Sequence, residues 1–457
     1  METSYDLIII GGGAAAFACA LKASEKDIKI AMIEKRTIGG TCVNVGCVPT
    51  KNLLDVGEKI HHCQNNPVDF SSMIKDKDDM VLDQRTRKYS DVLESVPNVE
   101  YIRGDAKFIS NNEIKVNGNI LTGKNILIST GSSATIPPIK GIQEIGFLTN
   151  IEALSLDEKP ESMIVIGGRA LGLEFAQMFS RFGTKVTVLQ RNKRIIPDEE
   201  PEISDALMQY LQEEGIKIYT GVEIKSVRKE GDQVLVSFTS NENEFEIKSE
   251  KLLMATGRTP STKDLGLENT DIKTSKNGAI LVDQKMKTSV PNIYAAGDVT
   301  GEPMLETVAA KEGNIAASNA FFGADKQMDF TSVPHAIFTS PQVASVGITE
   351  KESMEKFGTC SCKTLLMQDV PKALIVNKTK GLIKMLVDPN TQQILGVHIL
   401  SDLAADLIHE ATLAVKYKMT IDDIIDTVHV FPTMSESIKL VATSFKKNLK
   451  KLSCCVE

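Results

Sequence analysis

The sequence is poor in three features, and each shortage disfavours a class of protein. Only eight of its 457 residues are cysteine, which is too few for a secreted fold held together by disulfides. Its 52 basic residues are outnumbered by 60 acidic ones, which disfavours a general nucleic-acid binder. No run of apolar residues approaches the roughly 18 that a membrane-spanning helix needs. We therefore expect neither a nucleic-acid partner nor a membrane partner.

The composition is otherwise typical of a globular protein with a large core, since 42% of the residues are hydrophobic and 25% are charged. Glu2 and Asp6 stand before the first apolar stretch, where a secretory signal would carry basic residues. We therefore expect a cytoplasmic protein, whose thiols stay reduced unless chemistry oxidises them. In that compartment, cysteines that cluster in pairs are candidates for redox or metal chemistry.

The N-terminal residues predict a dinucleotide-binding βαβ unit, because a strand, a glycine turn, a helix and a second strand follow one another within residues 5–34. Gly11 allows the tight turn, and Gly13 allows the backbone to approach a pyrophosphate at the helix N-terminus. Ala16 keeps the helix close to the strand. Glu34 ends the second strand, where a carboxylate can hold ribose hydroxyls.

A second βαβ pattern over residues 163–189 predicts another nucleotide site. Gly167 and Gly172 occupy the first and third positions of its glycine motif, but Arg169 stands at the second, so we expect the cofactor to pass farther from the backbone. The next strand ends without an acid and is followed by Arg191. A missing carboxylate beside basic residues favours a 2′-phosphate, and hence NADPH over NADH. A solvated basic loop is the alternative.

Cys42 and Cys47 stand five residues apart in the segment GGTCVNVGCVPTK, which enters a helical stretch. On a regular helix, residues at this spacing are separated by about 7.5 Å of rise and about 140° of rotation, which is beyond the reach of a relaxed disulfide. Pairing therefore requires a distorted first turn, for which Gly46 and Pro49 are suitable. Thiols near a helix N-terminus also have a lowered pKa, which suits a redox pair. Two structural cysteines would fit the spacing as well.

This segment resembles the redox-active motif of the flavin-dependent pyridine nucleotide–disulfide oxidoreductases. Further motifs of that family follow in order, namely TGSSATIPPI at 130–139, ATGRTP at 255–260 and PNIYAAGDVT at 291–300. The resemblance covers essentially the whole chain and implies FAD on the first fingerprint and NADPH on the second. The residues expected to hold these cofactors are Gly11, Gly13, Ala14, Ala16, Glu34, Gly40, Thr41, Lys51, Thr130, Gly131, Gly167, Gly172, Glu174, Arg191, Gly257, Arg258, Gly297 and Asp298.

The same resemblance implies catalytic roles near the flavin. Cys47 is expected to lie against the isoalloxazine as the charge-transfer thiolate, and Cys42 is expected to be the outward, exchanging thiol. Lys51 and Glu174 are expected near the reacting face of the flavin, and Asp298 on its ribityl side.

The expected fold class is α/β, with two doubly wound nucleotide-binding domains and a C-terminal α+β dimerisation domain that makes the protein a homodimer. Residues 1–150 and 271–334 are expected to form the two parts of the FAD-binding domain. Residues 151–270 are expected to form the NAD(P)H-binding domain, and residues 335–457 the dimerisation domain with a metal-binding tail.

The C-terminal region bears on the substrate. Disulfide reductases of this family carry His-Pro-Thr-x-Ser-Glu, in which the histidine, oriented by the glutamate, is the general acid and base. Phe431 occupies the histidine position here, whereas Glu436 is retained at the start of a helix predicted over 435–450. Phenylalanine cannot transfer a proton, which disfavours ordinary dithiol–disulfide exchange. His429, two positions upstream, is interpreted as structural.

Cys454 and Cys455 are adjacent, and a disulfide between neighbours would be strained. Together they can bind a soft metal ion. This ending resembles the branch of the family that reduces thiol-bound Hg(II) to Hg(0) with NADPH. The resemblance implies that the pair delivers Hg(II) to Cys42 and Cys47 of the partner subunit. The alternatives are a dihydrolipoyl dehydrogenase-like disulfide reductase and a flavoprotein that only sequesters soft metals.

Some positions depart from that branch or stay open. Phe431 and Phe147 stand where tyrosines are expected along the metal path, so that a different ligand or route is indicated, with Glu306 as one candidate. Cys360 and Cys362 are interpreted as a structural pair, with a metal role as the alternative.

Overall fold

The computed structural model describes residues 3–62, 69–96 and 98–451. Cys63, Cys454 and Cys455 lie outside the described residues. The described strands are β1 (Ser4–Ile10), β2 (Ile30–Glu34), β3 (Val99–Arg103), β4 (Lys107–Phe108), β5 (Glu113–Val116), β6 (Asn119–Ile128), β7 (Ser132–Ala134), β8 (Ser162–Ile166), β9 (Lys185–Leu189), β10 (Lys217–Tyr219), β11 (Glu223–Glu230), β12 (Gln233–Ser240), β13 (Asn243–Ser249), β14 (Lys251–Met254), β15 (Arg258–Pro260), β16 (Ile293–Ala295), β17 (His335–Ile337), β18 (Gln342–Gly347), β19 (Ser361–Leu366), β20 (Leu382–Val387) and β21 (Ile394–Ser401).

The helices of the same residues alternate with these strands in the first two regions and follow them in the third. They are α1 (Ala14–Ala23), α2 (Gly40–Val45), α3 (Cys47–His62), α4 (Phe70–Arg85), α5 (Asp91–Glu94), α6 (Asn150–Ala153), α7 (Ala170–Arg181), α8 (Pro201–Glu213), α9 (Glu306–Phe322), α10 (Glu350–Phe357), α11 (Pro371–Ile375), α12 (Ala404–Lys416), α13 (Ile421–Asp426) and α14 (Glu436–Thr443).

The first region is a seven-stranded sheet in the order β3-β2-β1-β6-β5-β4, with β16 paired to β6. Strands β3, β2, β1, β6 and β16 are parallel. The run Leu7–Ile10 is buried throughout, as expected of a strand covered on both faces. Helix α9 packs on α1 closely enough that a β-carbon on Gly313 would lie 2.1 Å from the carbonyl oxygen of Ala15. The sheet therefore combines strands from residues 4–128 with β16, which follows the second region in the sequence.

The second region repeats the parallel pattern on a smaller scale, in the order β10-β9-β8-β14. Helix α7 packs against this sheet and buries Leu173, Phe175 and Phe179. A three-stranded antiparallel sheet, β11-β12-β13, covers another part of the core. The two parallel sheets confirm the prediction of two doubly wound nucleotide-binding units.

The third region is a five-stranded antiparallel sheet in the order β17-β18-β21-β20-β19. Helices α12, α13 and α14 share one hydrophobic core with it, so the predicted α+β unit is confirmed. The helix predicted over 435–450 is shorter, because α14 ends at Thr443. The domain limits that we predict remain predictions.

Helices α3 and α7 join the first region to the second. A β-carbon on Gly57 of α3 would lie 3.5 Å from the β-carbon of Arg181 in α7, so the two helices are in direct contact. Arg181 donates to both carboxylate oxygens of Glu214, at 3.0 and 2.9 Å, and is also paired with Glu58. Its side chain is 5% exposed. This buried ion cluster fixes how the helices sit on each other.

We expect Arg181→Ala to lower the free energy of unfolding by about 3–5 kcal/mol, because Glu214 would lose its buried counter-ion and Glu58 would be left with the more distant Lys378 and with His62. Arg228→Ala is the matched control, since Arg228 forms an exposed pair with Glu246 at 3.0 Å and should cost less than about 1 kcal/mol. Urea unfolding followed by circular dichroism measures both. Equal losses in the two variants would show that the cluster does not stabilise the contact.

Candidate active site

The first glycine loop is shaped so that a dinucleotide can approach its backbone. Gly11 has φ of +118°, and a β-carbon there would lie 2.2 Å from the carbonyl oxygen of Ser129, so only glycine fits. A β-carbon on Gly40 would lie 2.8 Å from the Cα of Gly13. Helix α1 begins directly after this loop, with no acidic side chain in its first turn. Its exposed N–H groups and positive dipole end favour a phosphate.

Glu34 is held in place at the end of β2. One carboxylate oxygen accepts a hydrogen bond from the backbone N–H of Gly12 at 2.8 Å, and the other from that of Arg36 at 2.7 Å. A carboxylate fixed in this way beside the glycine loop is suited to a ribose hydroxyl.

A cleft of about 250 Å³ opens beside this loop and is rich in glycine. Predicted site residues that line it are Gly13, Ala14, Glu34, Gly40, Thr41, Cys42, Cys47, Thr130, Gly131, Arg258, Gly297 and Asp298. Gly11 and Ala16 do not line the cleft, and Ala16 is fully buried. Gly257 lies outside the lining, and its carbonyl accepts from the backbone N–H of Thr135 at 2.9 Å. The residues around the cleft fit FAD, because glycines leave room for the cofactor's phosphates to approach the backbone.

Asp298 closes one end of the cleft through a short chain of hydrogen bonds. Ser132 donates to Asp298 at 2.5 Å, and Arg258 donates to Ser132 at 2.7 Å.

A buried acid, Glu312, lies next to Asp298 and accepts from the backbone N–H of Gly297 at 2.7 Å. Glu312 is 2% exposed, and its burial raises its pKa to about 7, with the charge of Asp298 adding to the shift. Glu312 is not among the site residues predicted from the sequence, although an acid within the small-residue stretch of α9 was a usable signal.

Gly46 produces the break that brings the two redox-candidate thiols together. Helix α2 ends there and α3 begins at Cys47. A β-carbon on Gly46 would lie 2.9 Å from the carbonyl oxygen of Thr41, so a larger residue would force the two helices apart. The sulfurs of Cys42 and Cys47 lie within 4.8 Å of each other. Pro49 does not interrupt α3, because a proline is tolerated in the first turn.

The two thiols have opposite acidities. The hydrogen bond from Cys42 lowers the pKa of Cys47 to about 7, and the nearby charge of Lys51 adds to this effect against the opposing effect of burial. Donating that bond raises the pKa of Cys42, and burial raises it further. At neutral pH the reduced pair therefore holds a thiol at Cys42, whereas Cys47 is divided between thiol and thiolate.

Lys51 is placed by Glu174, which reaches it from the second region. The ammonium lies 2.7 Å from one carboxylate oxygen of Glu174, and the other oxygen accepts from the backbone N–H of Phe338 at 2.9 Å. The ammonium also lies 4.6 Å from the centre of the Phe338 ring. Glu174 is 5% exposed. These contacts keep a positive charge close to the Cys47 end of the pair.

Glu306 completes the thiol site. The single proton of Cys42 is shared between Cys47 and a carboxylate oxygen of Glu306, which lies 2.6 Å from the Cys42 sulfur. The other oxygen of Glu306 lies 3.4 Å from the Tyr89 hydroxyl. An oxygen of Glu306 and the sulfurs of Cys42 and Cys47 all lie within 4.8 Å of one another, a grouping that could hold a metal ion. The sequence pointed to Glu306 only as one candidate among neighbours, because 264 residues separate it from Cys42.

The second glycine loop repeats the geometry of the first with one substitution. Gln190 directly follows β9 and takes the place that Glu34 has at the end of β2, because its amide oxygen accepts from the backbone N–H of Gly168 at 3.0 Å. Arg169 has the same extended backbone as Gly13, with φ of −99° against −96°, and its guanidinium is paired with Asp198. The turn therefore forms without the second glycine.

The predicted nucleotide residues of this loop are placed as follows. A β-carbon on Gly167 would lie 2.1 Å from the carbonyl oxygen of Ala255, and one on Gly172 would lie 1.9 Å from that of Gly167. Arg191 is exposed and lies two residues beyond the end of β9. Arg194 is paired with Asp205 at 3.0 Å, which leaves Arg191 as the better candidate for a phosphate.

The C-terminal acid–base position is incomplete. Glu436 is 8% exposed, and its Oε2 atom is buried with no hydrogen-bond partner among the described residues. Burial raises its pKa. The Nε2 atom of His429 lies 2.8 Å from a carboxylate oxygen of Glu410, and its Nδ1 atom lies 3.0 Å from the carbonyl oxygen of Thr427, as expected of a structural histidine. Phe431 is 49% exposed.

Comparison with known proteins places this site in a family. Residues 5–313 match the family described as pyridine nucleotide-disulphide oxidoreductase, and residues 333–442 match its dimerisation domain. The chain belongs to this family. The resemblance that the motifs indicate is therefore confirmed, as is the prediction of an FAD-dependent oxidoreductase. Membership implies FAD and a nicotinamide nucleotide as cofactors of this pyridine nucleotide-disulphide oxidoreductase.

Two relatives with long matches share a name. A protein named mercuric reductase from Staphylococcus aureus is 42% identical over 464 residues, covering 99% of this chain and 85% of its own length. Another of that name from Streptomyces lividans is 39% identical and is covered to 99%. Both proteins are similar to this chain over nearly the full length of the chain.

A solved structure also matches. It is titled a Cu(II) complex of the HOCl-induced flavoprotein disulfide reductase RclA from Escherichia coli, and it is 30% identical with a TM-score of 0.89, covering 97% of this chain and all of that one. In this pyridine nucleotide-disulphide oxidoreductase, no helix of the described ranges has both the length and the apolar character needed to cross a membrane.

We expect alkylation of Cys47 in the reduced protein to titrate with a midpoint near pH 7. Cys42→Ala should raise that midpoint by removing the donated hydrogen bond, and Lys51→Met should raise it by removing a positive charge. Lys59→Met is the control on the same helix, because Lys59 is 73% exposed and forms an ion pair with Asp55 at 2.6 Å. Iodoacetamide labelling at a series of pH values, followed by peptide mass spectrometry, measures the midpoint. A wild-type midpoint near the ordinary ~8.5 of a free thiol would show that the pair does not act as described.

Proposed function

We propose that this protein is an NADPH-dependent mercuric reductase, which reduces Hg(II) bound by thiols to Hg(0). The observation that carries the proposal is the site formed by Cys42, Cys47 and Glu306, where two sulfurs and a carboxylate meet at the cleft. The similarity to proteins named mercuric reductase, at 42% and 39% identity, supports the same reaction. Hg(II) is a soft cation, and thiolates are its preferred ligands.

FAD would be held by the glycine loop after β1, with Glu34 at its ribose and Asp298 near its ribityl chain. When bound, FAD supplies the transfer of two electrons from the nicotinamide nucleotide to the thiol site. The chain's own contribution is to place Cys42 and Cys47 at one end of the cleft and to keep charged groups at fixed distances around them.

Binding of Hg(II) requires both sulfurs as thiolates, and the chain prepares each of them differently. With a pKa of about 7, Cys47 is partly ionised near neutral pH, so its thiolate is readily available. Cys42 keeps its proton, and the carboxylate of Glu306, 2.6 Å from its sulfur, is placed to receive that proton when the metal replaces it. We propose Glu306 as the proton acceptor of the site, which would compensate for the histidine that Phe431 replaces.

Lys51 and Glu174 are proposed to position and tune the pair rather than to carry the metal. The charge of Lys51 lowers the pKa of Cys47, and Glu174, at 2.7 Å, keeps Lys51 in place. Glu436, with an unpartnered buried oxygen among the described residues, is proposed as a remnant of the family's acid–base pair.

We propose that Cys454 and Cys455 capture Hg(II) and pass it to Cys42 and Cys47 of the partner subunit. Two adjacent thiols can hold a soft metal and release it by ligand exchange. The match of residues 333–442 to a dimerisation domain supports a homodimer, in which such a transfer between subunits is possible.

NADPH is proposed as the electron donor because the position after β9, which corresponds to Glu34 in the first unit, has no carboxylate that would repel a 2′-phosphate. Gln190 occupies the position of Glu34 and is neutral, and Arg191 is exposed beside it. A cytoplasmic location is proposed together with this donor, since reduced thiols persist there.

A disulfide reductase is the second candidate. The similarity to a structure titled as a flavoprotein disulfide reductase favours it, whereas the replacement of the acid–base histidine by Phe431 disfavours it.

NADPH oxidation by the purified FAD-loaded protein should be fast with Hg(II) supplied as a small-thiol complex and slow with lipoamide or glutathione disulfide. With Hg(II), kcat/KM should be higher for NADPH than for NADH. The loss of NADPH or NADH absorbance, followed at matched acceptor concentrations, measures these rates and their ratios. Brisk turnover of a disulfide without turnover of Hg(II) would establish the second candidate instead.

Glu306→Gln should lower kcat/KM for Hg(II) by about tenfold or more at neutral pH, because the amide can accept a hydrogen bond but not the proton of Cys42. Glu302→Gln is the control, since Glu302 is exposed four residues earlier in the same segment and should keep wild-type turnover. The same NADPH assay measures both. Unchanged turnover in Glu306→Gln would remove Glu306 from proton transfer.

A further inference from the structure

A second cluster of thiols lies in the third region, apart from the cleft. Cys362 is in the edge strand β19, and Cys360 directly precedes that strand. Their sulfurs and a carboxylate oxygen of Glu350 all lie within 4.8 Å of one another. All three side chains are partly accessible, so a small ion can reach them from solvent.

Local chain geometry creates this arrangement. Residues 360 and 362 are two apart along an extended segment, and alternation in a strand puts them on the same face. Glu350 begins α10, which is fixed by a capping box at Thr349. The hydroxyl of Ser353 donates to the carbonyl of Thr359 at 3.1 Å, and this bond ties the helix to the start of β19. The two thiols and the carboxylate are thus supplied by two consecutive elements, α10 and β19, and the short segment between them.

The surroundings of Glu350 carry an excess of negative charge. The buried ammonium of Lys384, 1% exposed, lies 2.8 Å from Glu200, 3.0 Å from Glu202 and 2.5 Å from Glu350. One cation therefore faces three carboxylates. His398 lies 3.9 Å from Glu200, but burial lowers its pKa, so it adds no positive charge at neutral pH. A divalent cation beside Glu350 would offset this excess.

We propose that Cys360, Cys362 and Glu350 bind a thiophilic d10 cation of the Zn(II), Cd(II) and Hg(II) class, at a site distinct from the redox pair. Two thiolates and one carboxylate are ligands that such ions accept, with a fourth position open to water. The site lies on the predicted dimerisation region, and its formation does not depend on the reaction at the cleft.

The test is a titration with Cd(II) under reducing conditions. It uses the full FAD-loaded chain with Cys42, Cys47, Cys454 and Cys455 changed to serine, so that the proposed redox and delivery thiols cannot contribute. We expect one Cd(II) per chain, detected as ultraviolet thiolate-to-metal absorbance and by metal analysis after gel filtration.

Cys360→Ser or Cys362→Ser, added to this background, should remove the bound Cd(II). Glu350→Gln should weaken its binding while leaving both thiols. Cys19→Ala and Cys63→Ser are the controls and should each retain one Cd(II), with thermal melts confirming that every variant is folded. No bound Cd(II) in the background protein, or undiminished binding in both Cys360→Ser and Cys362→Ser, would overturn the proposal. Since the Hg(II) reaction is already disabled there, this result is independent of the proposed enzymatic activity.

Discussion

The thiol site depends on one steric constraint, the break between α2 and α3 at Gly46. A continuous helix would put Cys42 and Cys47 on different faces and out of contact. Since a β-carbon at position 46 would lie 2.9 Å from the carbonyl oxygen of Thr41, only glycine lets the chain turn sharply enough. The hydrogen bond between the thiols, and the lowered pKa of Cys47 that follows from it, are consequences of this turn.

The packing of α3 on α7 gives that turn its chemical surroundings. Lys51 and Glu58 are seven residues apart on α3, and Glu174 and Arg181 are seven apart on α7, so each pair lies about two turns apart on one helix face. Lys51 meets Glu174 and Arg181 meets Glu58. The two ion pairs hold the helices in one register, which keeps the ammonium of Lys51 beside the thiols.

Local sequence was sufficient to predict the features that local chemistry determines. The two glycine loops, the flanking strands and the need for a distorted turn before Cys47 all follow from residues close together in the chain. The role of Gln190 at the second loop, and the contacts of Glu306 and Glu312, arise from long-range packing, and no local pattern specifies which acid reaches which site. Helix α4 was also not predicted, because its buried face consists of only Met73, Ile74, Lys77 and Val81.

The proposed reaction rests on Hg(II) being held between the two thiols at the cleft. The most direct measurement is a crystal structure of the FAD-loaded protein with Hg(II), with the metal located by its anomalous scattering. We expect a mercury peak bridging the sulfurs of Cys42 and Cys47, next to the carboxylate of Glu306. Mercury bound elsewhere in the protein, with no peak between these two sulfurs, would contradict the proposed reaction.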